Sequence, residues 1–137
     1  MLGIKRIDHI CLLAWKLDDR LPMLTQLFGM KVRHRFENPS AGYNGIALDI
    51  PGGGAQWELL EPSDEGSFIT RFLEERGPGL HHVTFEVESV DKATQALRDF
   101  GYEPMGGRSH NGYKEVFVHP RDSGGVVFQL YEGGWGE

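Results

Sequence analysis

Asp8-His9-Ile10 and His81-His82-Val83 are the two short stretches on which the reading of this chain turns. Each lies in a run of apolar and β-favouring residues, and His82 follows His9 by 73 positions. Outward from them, Phe28-Gly29 returns as Phe100-Gly101 after 72 positions, and Trp57-Glu58-Leu59 returns as Phe128-Gln129-Leu130 after 71. An offset that drifts this little over a whole module is what duplication with small loop differences produces.

The intervening segments carry the same order of elements twice. Residues 7–15 read as a strand, and 18–28 read as a helix with Leu21, Leu24, Leu27 and Phe28 on one face and Gly29 as its stop. Strands are expected over 31–36, 46–50 and 56–60, the last two joined by the turn Pro51-Gly52-Gly53-Gly54. A connecting helix over 67–76 has Ser67 as N-cap and a stripe of Phe68, Ile69, Phe72 and Leu73, and it ends at Gly77-Pro78-Gly79. Then come a strand over 80–87, a helix over 90–100 stopped by Gly101, and strands near 102–105, 115–119 and 125–131. The expectation is one α+β domain over 1–137: a βαβββ module at about 4–62, the linker helix at about 67–76, and a second βαβββ module at about 80–132.

Composition bounds the function. In 137 residues, 39% are hydrophobic and 25% charged, enough apolar surface to bury a core. Fourteen Lys and Arg against 20 Asp and Glu leave a net charge of −6, which argues against a nucleic-acid partner. No apolar run approaches the roughly 18–20 residues that span a bilayer, so no membrane association is expected. Lys5 and Arg6 precede an apolar stretch, but it contains Asp8 and His9 and reads as a mature strand rather than a leader. The single cysteine, Cys11, excludes an intrachain disulfide and a multi-thiolate metal cage and fits a reducing compartment, with the cytoplasm as the expected location.

The register of the repeat superposes His9 on His82 and Glu58 on Gln129. Each module thereby contributes one imidazole from its first strand and one acid or amide from its last. Alternate residues of a strand share a face, so an inward His9 brings Cys11 and Leu13 with it, an inward His82 brings Thr84 and Glu86, and His81 points the other way. Imidazole and carboxylate oxygen suit Mn, Fe, Co, Ni or Zn, and without a thiolate set copper(I) and iron–sulfur clusters are disfavoured. Polar residues have no other reason to recur in register.

At these residues the chain resembles the vicinal oxygen chelate superfamily of glyoxalases, methylmalonyl-CoA epimerases, extradiol dioxygenases and fosfomycin and bleomycin resistance proteins. Within it the resemblance is to the methylmalonyl-CoA epimerases. It covers about residues 4–132 and rests on Ile7-Asp8-His9-Ile10, Glu58-Leu59-Leu60-Glu61-Pro62, Gly79-Leu80-His81-His82-Val83, and Phe117-Val118-His119-Pro120 with Gly124-Gly125-Val126. The resemblance implies two paired βαβββ modules forming a curled mixed sheet around a metal-binding cleft. It implies one divalent ion (Co, Mn, Ni, Zn or Fe) on His9, Glu58, His82 and Gln129, and assembly as a homodimer. The implied activity is that of a metal-dependent isomerase or epimerase that abstracts a proton next to a carbonyl, acting on a small carbonyl compound or CoA thioester, with Glu58 as ligand and base. A lactoylglutathione lyase is the alternative close to it. A ring-cleaving non-heme iron dioxygenase would use His9, His82 and Glu58, although dioxygenases of the superfamily carry their carboxylate on the last strand. A resistance-type binding protein would use the same cleft without chemistry.

Gln129 departs from the pattern, since the family usually has Glu there. An amide oxygen still coordinates, but it has no proton to exchange near neutral pH. Glu86 and Glu115 are then reserve carboxylates. Other residues read as structural: His119 as a hydrogen-bonding residue at a strand end, Cys11 as packing, and Gly52-Gly53-Gly54 as a turn without the ending of a phosphate loop. Arg108, Lys114 and Arg121 read as solvated charge, and Trp15, Trp57 and Trp135 as core or rim residues.

Overall fold

A computed structural model describes residues 1–134; Trp135 lies outside the described residues. Its elements are β1 (Ile4–Leu13), α1 (Leu17–Pro22) running into a π-helical turn (Met23–Leu27), β2 (Lys31–Asn38), β3 (Tyr43–Asp49), β4 (Gln56–Pro62), α2 (Phe68–Arg76), β5 (Gly79–Val87), α3 (Val90–Phe100), β6 (Met105–His110), β7 (Tyr113–Val118), α4 (Pro120–Ser123) and β8 (Val127–Glu132). The fold is α+β, built from two βαβββ modules, with the hydrogen-bonded strand order β2-β3-β4-β1 in one and β5-β8-β7-β6 in the other.

The expected elements are present, with three differences that have local causes. The helix expected over 18–28 changes character after Pro22, which has no N–H to give the ladder, and closes on a wide turn in which Phe28 N donates to Met23 O at 3.1 Å. The strand expected at 102–105 begins only at Met105, because Tyr102 N donates to Leu97 O at 2.9 Å and so closes the end of α3. That closure needs Gly101 in the left-handed region, at φ 103. Strand β7 stops at Val118 because His119 leaves it to cap α4.

The chain divides into two compact units, His9–His81 and Met1–Asp8 with the chain from His82 onward. In the first, β2, β3 and β4 pair antiparallel and β1 pairs parallel with β4. Period-two alternation splits its apolar residues between two helical covers. Ala14, Ile46, Leu48 and Leu59 pack with Leu24 of the π-helical turn and Met30, while Cys11, Leu13 and Leu60 pack with Ile69 and Leu73 of α2. Ser67 Oγ accepts from Ile69 N at 3.2 Å, the expected N-cap of α2.

In the second unit β5 pairs parallel with β8, and β7 pairs antiparallel with both β8 and β6. One face is apolar: Val90, Ala93 and Leu97 of α3, at helical spacing, cover Val87, Val116, Val118 and Leu130. Burying a side chain such as Leu97, 5% exposed, contributes about 1.5–3 kcal/mol. Alternation puts Thr84, Tyr113, Glu115, Gln129 and Tyr131 on the opposite face, and buried polar groups there require partners.

Candidate metal centre

Each unit carries half of the expected constellation, in the same register. In the first, Cys11 of β1 stands opposite Glu58 of β4, and His9 lies two residues before Cys11. In the second, Thr84 of β5 stands opposite Gln129 of β8, and His82 lies two residues before Thr84. The side chains repeat the pattern. The Cys11 thiol is hydrogen-bonded to the Glu58 carboxylate, and Thr84 Oγ1 donates to Gln129 Oε1 at 2.8 Å. Parallel pairing of the first and fourth strands of each module is what puts a histidine, a small donor and an acid or amide on one face.

His9 Nε2 and Glu58 Oε2 are 3.8 Å apart, with side chains 12% and 22% exposed. That is too long for a hydrogen bond and matches two ligands that each reach one ion over about 2.0–2.2 Å. Cys11 is fully buried; burial first, and the Glu58 carboxylate second, push its thiol well above the ordinary value, so it stays protonated and packs as expected.

Gln129, 9% exposed, is held from both ends. Its Nε2 donates to Glu115 Oε1 at 3.0 Å and faces Tyr113 Oη at 3.4 Å. Only an NH2 can be given to a carboxylate, so the amide oxygen is the end turned to Thr84. Glu115 also accepts from Tyr113 Oη at 2.6 Å and from Arg108 N at 3.1 Å, with Arg108 Nη2 at 3.5 Å. Burial raises its carboxyl, but these donors outweigh it and hold the group below the usual carboxylate range.

The other reserve carboxylate, Glu86, is taken by Arg6 Nε at 3.0 Å, with Lys5 Nζ at 3.8 Å. Arg6 also donates to Asp8 at 2.7 Å, and Tyr131 Oη donates to the same Asp8 oxygen at 2.8 Å. Sequence reasoning missed the two tyrosines; the signal available was the alternation of 113 with 115 and of 129 with 131 on adjacent strands. His81 lies between Phe68 and Phe72 of α2, with ring centroids at 5.3 and 5.5 Å. Burial first, and the Arg76 guanidinium second, lower its imidazole to about 4.

The residues expected to be structural are accounted for. His119 Nδ1 accepts from Arg121 N at 3.1 Å and caps α4. Lys114 pairs with Asp91 at 3.1 Å, Arg108 lies over the Tyr113 ring at 5.3 Å, and Arg121 is exposed on α4. Trp57 is half-buried against the α1 core, whereas Trp15 is exposed. Among the described residues no helix is long and apolar enough to cross a membrane.

The family model of the glyoxalase/bleomycin resistance protein/dioxygenase superfamily matches residues 8–118. The ethylmalonyl-CoA/methylmalonyl-CoA epimerase of Cereibacter sphaeroides is 29% identical over 132 residues, covering 93% of this chain and 97% of its own. The crystal structure of methylmalonyl-CoA epimerase from Mycobacterium tuberculosis superposes with a TM-score of 0.78 at 30% identity, over 97% of this chain and 91% of that one. A variant of the Streptomyces coelicolor methylmalonyl-CoA epimerase, in complex with 2-nitronate-propionyl-CoA, superposes with a TM-score of 0.74 at 30% identity, over 96% and 99%. The chain belongs to the glyoxalase/bleomycin resistance protein/dioxygenase superfamily.

Proposed function

We propose that this protein is a metal-dependent epimerase-like isomerase that moves a proton at the carbon next to the carbonyl of a CoA thioester, with methylmalonyl-CoA as the leading substrate. The observation that carries this reading is the common register of His9 with Glu58 and of His82 with Gln129, on a chain matched nearly end to end by methylmalonyl-CoA epimerases. Those relatives favour an isomerase over a lyase or a ring-cleaving dioxygenase. In the same reading the ion is held by His9, Glu58 and His82, which offer one ligand atom each, with the Gln129 oxygen as fourth donor. Two neutral imidazoles, one carboxylate and one amide form a donor set suited to Mn, Fe, Co, Ni or Zn. A bound divalent ion would act as a Lewis acid on the substrate carbonyl.

The chain's own residues divide the remaining work. Glu58, the carboxylate on the face shared with His9, takes the proton, with the Cys11 thiol hydrogen-bonded to it. Glu115 and Glu86 are held by Arg108 and Arg6 and serve as fixed charge. Gln129 has no exchangeable proton, so Glu58 is the one protein base, and the proton that completes inversion is delivered to the opposite face by solvent water. Assembly as a homodimer and a cytoplasmic location belong to the same reading; sedimentation equilibrium tests the first.

The test is Co2+ titration by calorimetry, followed by incubation of a single methylmalonyl-CoA epimer with the loaded protein. One ion per chain, its loss in His9→Ala and His82→Ala, and inversion at the substrate's chiral carbon are expected. Full metal binding by His82→Ala, or an epimer that stays unchanged, would overturn the reading.

A further inference from the structure

Glu115 lies at the end of an arrangement built for it. Strand β6 slips its register between Gly106 and Ser109, and in that bulge Arg108 N turns from the ladder to the Glu115 carboxylate at 3.1 Å. Gly107 is required there, since a Cβ on it would run into the Glu115 side chain. Tyr113 Oη and the Arg108 guanidinium complete the clamp, and the carboxylate side chain is 6% exposed. The remaining donor on Glu115 Oε1 is the Gln129 amide, at 3.0 Å.

We infer that Glu115 is a positioning residue for Gln129: it holds the amide NH2 so that Oε1, rather than nitrogen, is the atom offered to a cation. The inference rests on the proposed role of Gln129 as fourth donor. An amide is nearly symmetric in shape, and with its NH2 turned to a cation it could not coordinate. Glu115 forbids that orientation, because a carboxylate must be met by a donor. Thr84 takes one of the two lone pairs of Oε1 and leaves the other for the ion. The negative charge behind the NH2 also polarises the amide, which makes its oxygen a better donor. A carboxylate one strand away thus compensates for the acid that position 129 lacks.

The test is Co2+ affinity, together with the visible absorption of the bound Co2+, in the full chain and in Glu115→Leu, Glu115→Gln and Gln129→Ala. Glu115→Leu is expected to weaken binding by about 10–100-fold and to shift the Co2+ bands, the usual effect of losing a partner behind a ligand. Glu115→Gln keeps an acceptor and is expected to recover part of the affinity; it also carries the test if Glu115→Leu does not fold. Combined with Gln129→Ala, Glu115→Leu is expected to add no further loss. Unchanged affinity and bands in Glu115→Leu, or an equal further loss on top of Gln129→Ala, would overturn the positioning role. Failure of the unmodified chain to bind Co2+ would instead overturn the metal reading itself.

Discussion

Replacing Thr84 by Val removes one hydroxyl from the polar face and little else. Thr84 is 0% exposed and its Oγ1 donates to Gln129 Oε1 at 2.8 Å, inside a layer where Gln129 itself is only 9% exposed. A buried acceptor stripped of its donor costs about 1–3 kcal/mol. The added methyl of Val recovers up to about 0.8 kcal/mol by burial, so the expected net loss is about 1–2 kcal/mol, a large fraction of a total near 5–15 kcal/mol. For a chain of this size that lowers Tm by roughly 4–8 °C. Urea unfolding followed by tryptophan fluorescence measures it, in wild type and in Gln129→Leu. With the acceptor absent the same Thr84→Val change is expected to cost clearly less. An equal cost in both backgrounds would refute the reasoning, because it would assign the loss to packing.

The imidazole of His81 gives a pH prediction. Its folded value, about 4, lies below the unfolded value of 6.5, so the unfolded chain binds the extra proton between these limits. Stability is therefore retained above pH 6.5 and lost as pH falls towards 4, by about 2 kcal/mol after allowance for partial exposure. Chelator-treated protein should show this slope in urea titrations, and His81→Asn should flatten it; an unchanged slope in His81→Asn would assign it elsewhere. Gln129→Glu alone would set two carboxylates about 3 Å apart and is expected to bind Co2+ no more tightly than wild type. The exchange Glu115→Gln with Gln129→Glu removes that repulsion and is expected to bind more tightly than either single variant; equal affinities in calorimetry would contradict this.

The fold was legible because duplication leaves a signal that periodicity alone does not. The recurrence of Asp8-His9-Ile10 at His81-His82-Val83, and of Glu58 at Gln129, predicts a register that the strand pairs Cys11 with Glu58 and Thr84 with Gln129 reproduce. What surrounds Gln129 was not legible. The bulge at Gly106–Ser109 and the pairing of β7 with β8 decide that Glu115 meets the amide, and neither follows from local propensity. The late start of β6 was hidden for a similar reason, since Tyr102 reads as a strand residue until its N–H is seen closing α3. His81 was separable from His82 by alternation, because the two point to opposite faces and only one can share a face with Thr84.

Mass spectrometry of methylmalonyl-CoA after incubation with the Co2+-loaded protein in D2O tests proton transfer next to the carbonyl most directly. Uptake of one deuterium at the carbon between the two carbonyls, faster than in a protein-free control and abolished in Glu58→Ala, is the expected result. Substrate that stays at its starting mass while the protein holds its metal would contradict it.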